Sequence, residues 1–365
     1  MLAVFCSIYY NKHINGGLNL TKKRVESIDI AKGIGILLVI LGHLTVDGQM
    51  VRFVIFTFHM PLFFMLSGVF ADKKQNLADG AAKLVRTLLV PYLFVVVCDF
   101  AWLSILALKD GKLDFGGQLK HMLLCAAGLD KTYNSAVWFL FALFIIKAAF
   151  LLINQIENKV AKEGVILAIS AISIAFILTR RFFEINEKYL YLSALGCFVF
   201  YSAGYFLRDI ILNLENSVQK HKIHLALAPV SLGVVVLIAQ IKQMFIVHVY
   251  RYTDHPLLML VAAACGTYAT VVLSAFIATL LKAERLKKAL IFFGKNSIVI
   301  LMIHYPIARK FYPYVFGLFG IKEFVNRPLA EAALFVLTTL LMIPAIYLFN
   351  KYLYCIIGKK KPTWN

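Results

Sequence analysis

Charge is scarce in this sequence, and acid is scarcer than base. Of 365 residues only 16% are charged, and 19 Asp and Glu stand against 38 Lys and Arg. Soluble globular domains carry about 25% charged residues. Cysteine is sparse as well: Cys6, Cys98, Cys125, Cys197, Cys265 and Cys355 stand alone. No two have the spacing of a metal knuckle or a dithiol motif, which excludes a zinc or redox centre built on them. They read as small apolar packing residues. Sequence repeats, low-complexity tracts and hydrophilic stretches long enough for a soluble domain are absent. Zinc-finger, basic-zipper and RNA-binding aromatic motifs are missing too. The net charge of +19 therefore does not point to a nucleic-acid partner.

What fills the chain is apolar. Hydrophobic residues make up 61% and mean hydropathy is +0.79, where soluble proteins hold about 45–50% apolar residues. Apolar runs of bilayer-spanning length recur. The fold expected is all-α, a polytopic transmembrane helical bundle of about ten spans. They run over 30–48, 51–71, 84–108, 135–153, 164–180, 189–212, 224–248, 255–281, 289–308 and 329–353. Residues 1–28 read as an N-terminal cytoplasmic or interfacial segment, 29–354 as the membrane domain, and 355–365 as a basic tail. Residues 2–10 are apolar without the basic leader and small-residue site of a cleavable signal peptide, so an interfacial segment is expected there. The semi-apolar piece 119–129 is too short to span.

Lys and Arg are unevenly shared between the two sets of loops. One set holds Lys22, Lys23, Arg24, Lys73, Lys74, Lys83, Arg86, Lys159, Lys162, Arg208, Lys220, Lys222, Lys282, Arg285, Lys287, Lys288 and Lys359–Lys361. The other is poorer, with Arg52, Lys109, Arg180, Arg181, Arg251, Lys322 and Arg327 among its members. The richer set marks the cytoplasm, which puts both termini there.

The first two runs carry polar groups that a lipid-embedded helix should avoid: Asp29, Lys32 and His43 on one, His59 and Ser67 on the other. A charged group at bilayer depth costs about 2.5–3.5 kcal/mol on insertion scales, so it needs a reason. At about 100° per residue, His43 stands about 20° from Lys32, and Asp29 lies within about 60° of both. These three form one stripe, with Asp29 and Lys32 at the cytoplasmic end and His43 in the outer half. The tight turn around Gly48 and Gln49 makes the two helices a hairpin, so His59 reaches a similar depth. Pro61 kinks the second helix and frees a carbonyl that must find a partner. Ser67 and Gly68 permit close helix approach.

A lone membrane histidine ordinarily ties two helices together through a carbonyl. Two histidines on one hairpin, with an acid and a lysine in line, favour chemistry, and neutral imidazole suits general-base work. Asp29 and Lys32 can instead neutralise each other, and Lys32 can snorkel. Lys83 and Arg86 read either as ordinary end charge or as phosphate contacts. Trp138 reads either as an interfacial aromatic or as a stacking platform for a sugar. The segment FGKNSIVILMIHYPI repeats the theme, with Lys295, Asn296 and Ser297 inside and His304 outside. His121, His221, His224, His248 and His255 lie at loop edges and read as solvated.

These motifs resemble the acyltransferase-3 superfamily of integral membrane O-acyltransferases, and within it the fucose 4-O-acetylase-like group. The matching features are a basic residue, ten residues and a histidine (Lys32 to His43), preceded by Arg24 and SIDIAKG. FHMPLFFMLSG (58–68), Lys83 and Arg86 before VPYL (90–93), WFL (138–140) and GKNSIVILMIHYPI (294–307) complete the pattern. Many relatives have Arg where this chain has Lys32, so the cation is kept but its bidentate fork is lost.

The resemblance implies transfer of an acetyl or other short acyl group from cytoplasmic acyl-CoA to a hydroxyl of a cell-surface or exported glycan. His43, with His59, would be catalytic. Arg24, Asp29, Lys32, Ser67, Lys83 and Arg86 would hold the donor, and Trp138 and His304 the acceptor. It implies no metal and no permanently bound cofactor, acyl-CoA being a co-substrate. The partners are a glycan or lipid-linked saccharide and membrane lipids, in the bacterial cytoplasmic membrane. With no esterase-like domain after residue 354, the membrane domain would complete the transfer. The alternative is a non-enzymatic polysaccharide, glycolipid or proton-coupled transporter. It would be favoured by inverted repeats or by broken helices in both halves.

Overall fold

Every regular element among the described residues is helical. The computed structural model describes residues 25–45, 49–71, 75–179, 188–242, 255–318 and 328–360. Arg24, the segment 2–10, Lys22, Lys23, Gly48, Lys73, Lys74, Arg180, Arg181, His248, Arg251, Lys322, Arg327 and Lys361 lie outside them. The helices are α1 (Glu26–Leu44), α2 (Met50–Gly68), α3 (Leu77–Leu84), α4 (Val90–Lys109), α5 (Phe115–Ala126), α6 (Trp138–Ile153), α7 (Lys159–Thr179) and α8 (Leu190–Phe206). They continue as α9 (Arg208–Leu212), α10 (Leu214–Lys220), α11 (Ile223–Ala239), α12 (Pro256–Thr279), α13 (Glu284–Lys295), α14 (Ser297–Pro306), α15 (Tyr312–Leu318) and α16 (Pro328–Lys351).

The chain is an integral membrane protein. Among the described residues seven helices are long and apolar enough to cross a bilayer, and nine if each of two bent pairs is one span. The ten expected spans overstate this count. The run at 289–308 is two helices, α13 and α14, which meet at 77° around Asn296. The run at 224–248 begins as α11, bent 109° from α10, and passes out of the described residues after Lys242. The run at 189–212 is α8, with only 17 residues, followed by the short α9. α8 is nevertheless anchored at both of its ends. Its first N–H, of Leu190, bonds the Gly128 carbonyl (2.9 Å), and its far end abuts Met65 and Gly68. Both bent pairs lie in the second half of the chain, so they are not the matched breaks of an inverted repeat.

Lipid gives helices little hydrophobic reason to associate, so close backbone approach carries much of the packing. Two glycine pairs provide it. A Cβ on Gly68 would strike the Tyr201 carbonyl and one on Gly204 the Met65 carbonyl, which seats α2 on α8. A Cβ on Gly33 would strike the Leu290 carbonyl and one on Gly294 the Asp29 carbonyl, which seats α1 under α13. The aromatic wall of Phe63, Phe64 and Phe139 fills the space between α2 and α6. Apolar side chains such as Val160 on α7 and Leu329 on α16 face outward, as lipid contact requires.

One end of the bundle collects Asp29, Gly294, Asn296, Asn350 and Lys359. Lys359 Nζ donates to Asn296 Oδ1 (3.2 Å) and Asn350 Oδ1 (2.6 Å), so the start of the basic tail is tied to α14 and α16. Lys287 pairs with Glu26 (2.7 Å) at the same end. The start of α1 and residue 359 therefore share one end, and His43 lies towards the other. Among the described cysteines all are free. Burial pushes the Cys125 thiol up to about 12, with Asp130 and Asp99 adding to the shift, so it stays protonated and inert.

Candidate active site

α1, α2 and α14 bring three histidines to the far end of the bundle. The His43 and His304 rings are 5.2 Å apart between centroids. His43 also meets the Tyr305 ring edge-on at 5.1 Å and Phe56 at 5.8 Å. Phe56 in turn meets His59 at 5.0 Å. His43 thus faces His304 directly, while Phe56 touches both His43 and His59.

Hydrogen bonds separate the three rings by role. His59 Nδ1 lies 2.8 Å from the Ile55 carbonyl, and His304 Nδ1 lies 2.8 Å from the Ile300 carbonyl. A carbonyl can only accept, so in each neutral ring Nδ1 carries the proton and Nε2 keeps the lone pair. His59 is 4% exposed and His304 0%. His304 Nε2 has no hydrogen-bond partner among the described residues. His43 is half-buried, and among the described residues its ring is engaged by neighbouring rings rather than by a hydrogen bond. Its nitrogens remain available to an incoming group.

Two residues that sequence reasoning did not single out complete this end. Arg52, 8% exposed, donates from Nη1 to the Thr45 carbonyl (2.9 Å) and lies over the Phe56 ring at 4.9 Å. Its positive field reaches His43, as does that of Arg309. Asn134, fully buried, donates from Nδ2 to the Met302 carbonyl (2.7 Å). Pro306 explains this bond. It has no N–H to offer the carbonyl four residues back, which is Met302, and Asn134 takes the vacant place. The backbone N–H of Asn134 donates to Asp99 Oδ2 (2.8 Å). A cavity of about 200 Å³ opens beside it, lined by Asp99, Gln118, His121, Thr132 and Tyr133 among others.

The remaining expected site residues lie elsewhere. Trp138 is buried, 5% exposed, with its ring against Phe64 (6.1 Å), so it is a wall residue rather than an open interfacial aromatic. Lys32 lies over the Phe70 ring at 5.8 Å. Asp29 is buried beside Gly294, and Ser67 is half-buried on α2. Lys83 and Arg86 are exposed where a π-helical turn, Val85–Leu89, joins α3 to α4. Arg86 Nε donates to Ala82 O (3.3 Å), and its carbonyl lies near Gly358. Of the histidines read as solvated, His224 is instead bonded between Ser217 (3.1 Å) and Tyr268 (2.9 Å), and His121 lies against Cys125.

The family model described as "Acyltransferase domain" matches residues 25–349. Nodulation protein NolL of Mesorhizobium japonicum is 31% identical over 169 residues. That match covers 43% of this chain and 42% of the relative, so the chain spans less than half of that relative's length. No solved structure matches. The match of a single family model across α1 to α16, over nearly the whole described bundle, decides the assignment: the chain belongs to the acyltransferase-3 family.

Proposed function

We propose that the protein moves an acetyl or other short acyl group from acyl-CoA to a hydroxyl of a cell-surface or exported glycan. His43 is the general base. The observation that carries this reading is the contrast among the three histidines. His59 and His304 each spend one nitrogen on a backbone carbonyl, whereas among the described residues the His43 ring has only ring contacts and no such bond. A base must be able to reach the proton it removes.

The order of groups along α1 fits a donor entering from one end. Lys32 and His43 are eleven residues apart, about 16 Å of helix rise. Phosphates held near Lys32, Lys83 and Arg86 leave the pantetheine arm to run along the bundle towards His43. Arg24 and Asp29 belong to the same donor end in this reading, and Ser67 lies along the path. At the far end His43 takes the hydroxyl proton as the sugar oxygen attacks the thioester carbonyl. The tetrahedral oxyanion forms near Arg52, whose fixed charge has the sign that stabilises it. The C–S bond then breaks, and the CoA thiolate leaves with the proton that His43 returns. His304 and His59 hold the shape and field around His43. The acceptor approaches through the cavity beside Asn134, with Trp138 as a buried support.

In this reading both termini face the cytoplasm of a bacterial cell and the histidine end faces outward. The test is mass spectrometry of surface glycans from a strain lacking the gene, complemented with wild type or with His43→Ala. Loss of one acyl mass in the deletion strain, restored by wild type only, is expected. Restoration by His43→Ala at equal protein level would remove His43 from the chemistry.

A further inference from the structure

α6 is the most apolar of the candidate spans, yet it carries Lys147 near its middle. The next inward-facing positions one and two turns away are Leu140, Leu143 and Phe150, all buried. At about 100° per residue these lie within about 60° of Lys147, so the lysine is on the face turned to the bundle. A lysine that merely snorkels belongs on the lipid face near a helix end. Lys147 is six residues from the end of α6, about 9 Å.

The same face leads to two other lysines. Asn154, seven residues on, donates to the Ala71 carbonyl (2.6 Å), and the neighbouring Phe70 ring lies under Lys32. Leu151, one turn from Lys147, fills the space where a Cβ on Gly80 would sit, and Lys83 is one turn from Gly80. Lys32 and Lys83 are the charged groups whose fields reach Lys147. No described carboxylate pairs with it and no described acceptor bonds it. Three ammonium groups thus converge at one end of the bundle, one of them at bilayer depth. At that depth the Lys147 charge is costly unless an anion offsets it.

We propose that Lys32, Lys83 and Lys147 form a binding site for a phosphate or diphosphate group, with Lys147 drawing that group into the bundle. That its bearer is the acyl donor rests on the function proposed above. Three flexible ammonium points of one sign suit a multiply charged, freely rotating anion better than a planar carboxylate, which an Arg fork would select.

Lys147→Met keeps the length of the side chain and removes the charge. Binding of CoA and of pantetheine, which lacks the phosphates, is measured calorimetrically in phosphatidylcholine nanodiscs. Lipids retained from a phosphatidylglycerol-containing membrane are identified by mass spectrometry. The expected result is at least a tenfold weaker CoA affinity in Lys147→Met, largely recovered in Lys147→Arg, with pantetheine unaffected. The unliganded Met variant should melt no lower than wild type, whereas a purely structural lysine would lower it. Unchanged CoA affinity in Lys147→Met overturns the site and leaves the donor reading standing. If wild type binds no CoA but retains phosphatidylglycerol through Lys147, the anion site stands with a lipid headgroup as its source, and the donor reading fails. If wild type binds neither, the site is overturned.

Discussion

At the scale of single residues, the site is defined by what each polar atom must do when water is scarce. His59 and His304 answer to their own helix carbonyls, and His43 does not. His43→Ala is therefore expected to lower transfer by about 10²–10⁴, the usual worth of a general base. His59→Gln should lose far less, because Phe56 intervenes between the two rings. Comparable losses in both variants, measured on protein of equal abundance, would make His59 an equal partner in the chemistry. Asn134→Leu leaves the Met302 carbonyl buried without its donor, a cost of about 1–3 kcal/mol. A lowered melting temperature in detergent is the readout, and an unchanged one would show that the carbonyl has another partner. The histidines were legible in the sequence because an imidazole in an apolar run has few innocent reasons to be there. Asn134 was not, since it lies in a loop 168 residues from its partner, although Pro306 announced that the Met302 carbonyl would need one. Lys147 was legible in principle, as a single cation inside an apolar run. Its role is not readable from position alone, because most Lys and Arg in such a chain mark the sidedness of loops.

Helices in this protein meet through backbone, and glycine decides where. Gly68 and Gly204 let α2 and α8 touch, and Gly33 and Gly294 do the same for α1 and α13. Gly204→Val and Gly294→Val are expected to abolish the monodisperse peak in size-exclusion chromatography. Gly233→Val, where a side chain would meet open space, should leave it intact. Equal behaviour of all three would refute the close-approach account. The close approach of Gly68 was readable beforehand from the small pair Ser67–Gly68. The break between α13 and α14 was not. The polar residues Lys295, Asn296 and Ser297 read equally as the end of a straight span, and the turn depends on Asn296 being held by Asn350 and Lys359 from remote parts of the chain.

For the whole molecule, hydropathy fixed the class of fold but overcounted the spans, because length in sequence does not reveal a bend. The start of α1 and Lys359 share one end, and the Lys and Arg bias predicts a cytoplasmic location for it. A C-terminal green fluorescent protein fusion should fluoresce and a C-terminal alkaline phosphatase fusion should be inactive. The reverse pattern would turn the bundle over and place the donor end outside. Under the proposed function the polar stripe of α1 would then have a direction, with lysine at the end where the donor is proposed to enter and histidine at the end proposed for the acceptor hydroxyl.

The most direct test is single-turnover transfer from radiolabelled acetyl-CoA in oriented membrane vesicles that carry wild type or His43→Ala, with CoA binding measured in parallel. The expected result is label in a saccharide product with wild type only, while both proteins bind CoA with similar affinity. Equal labelling by the two proteins would contradict the central claim.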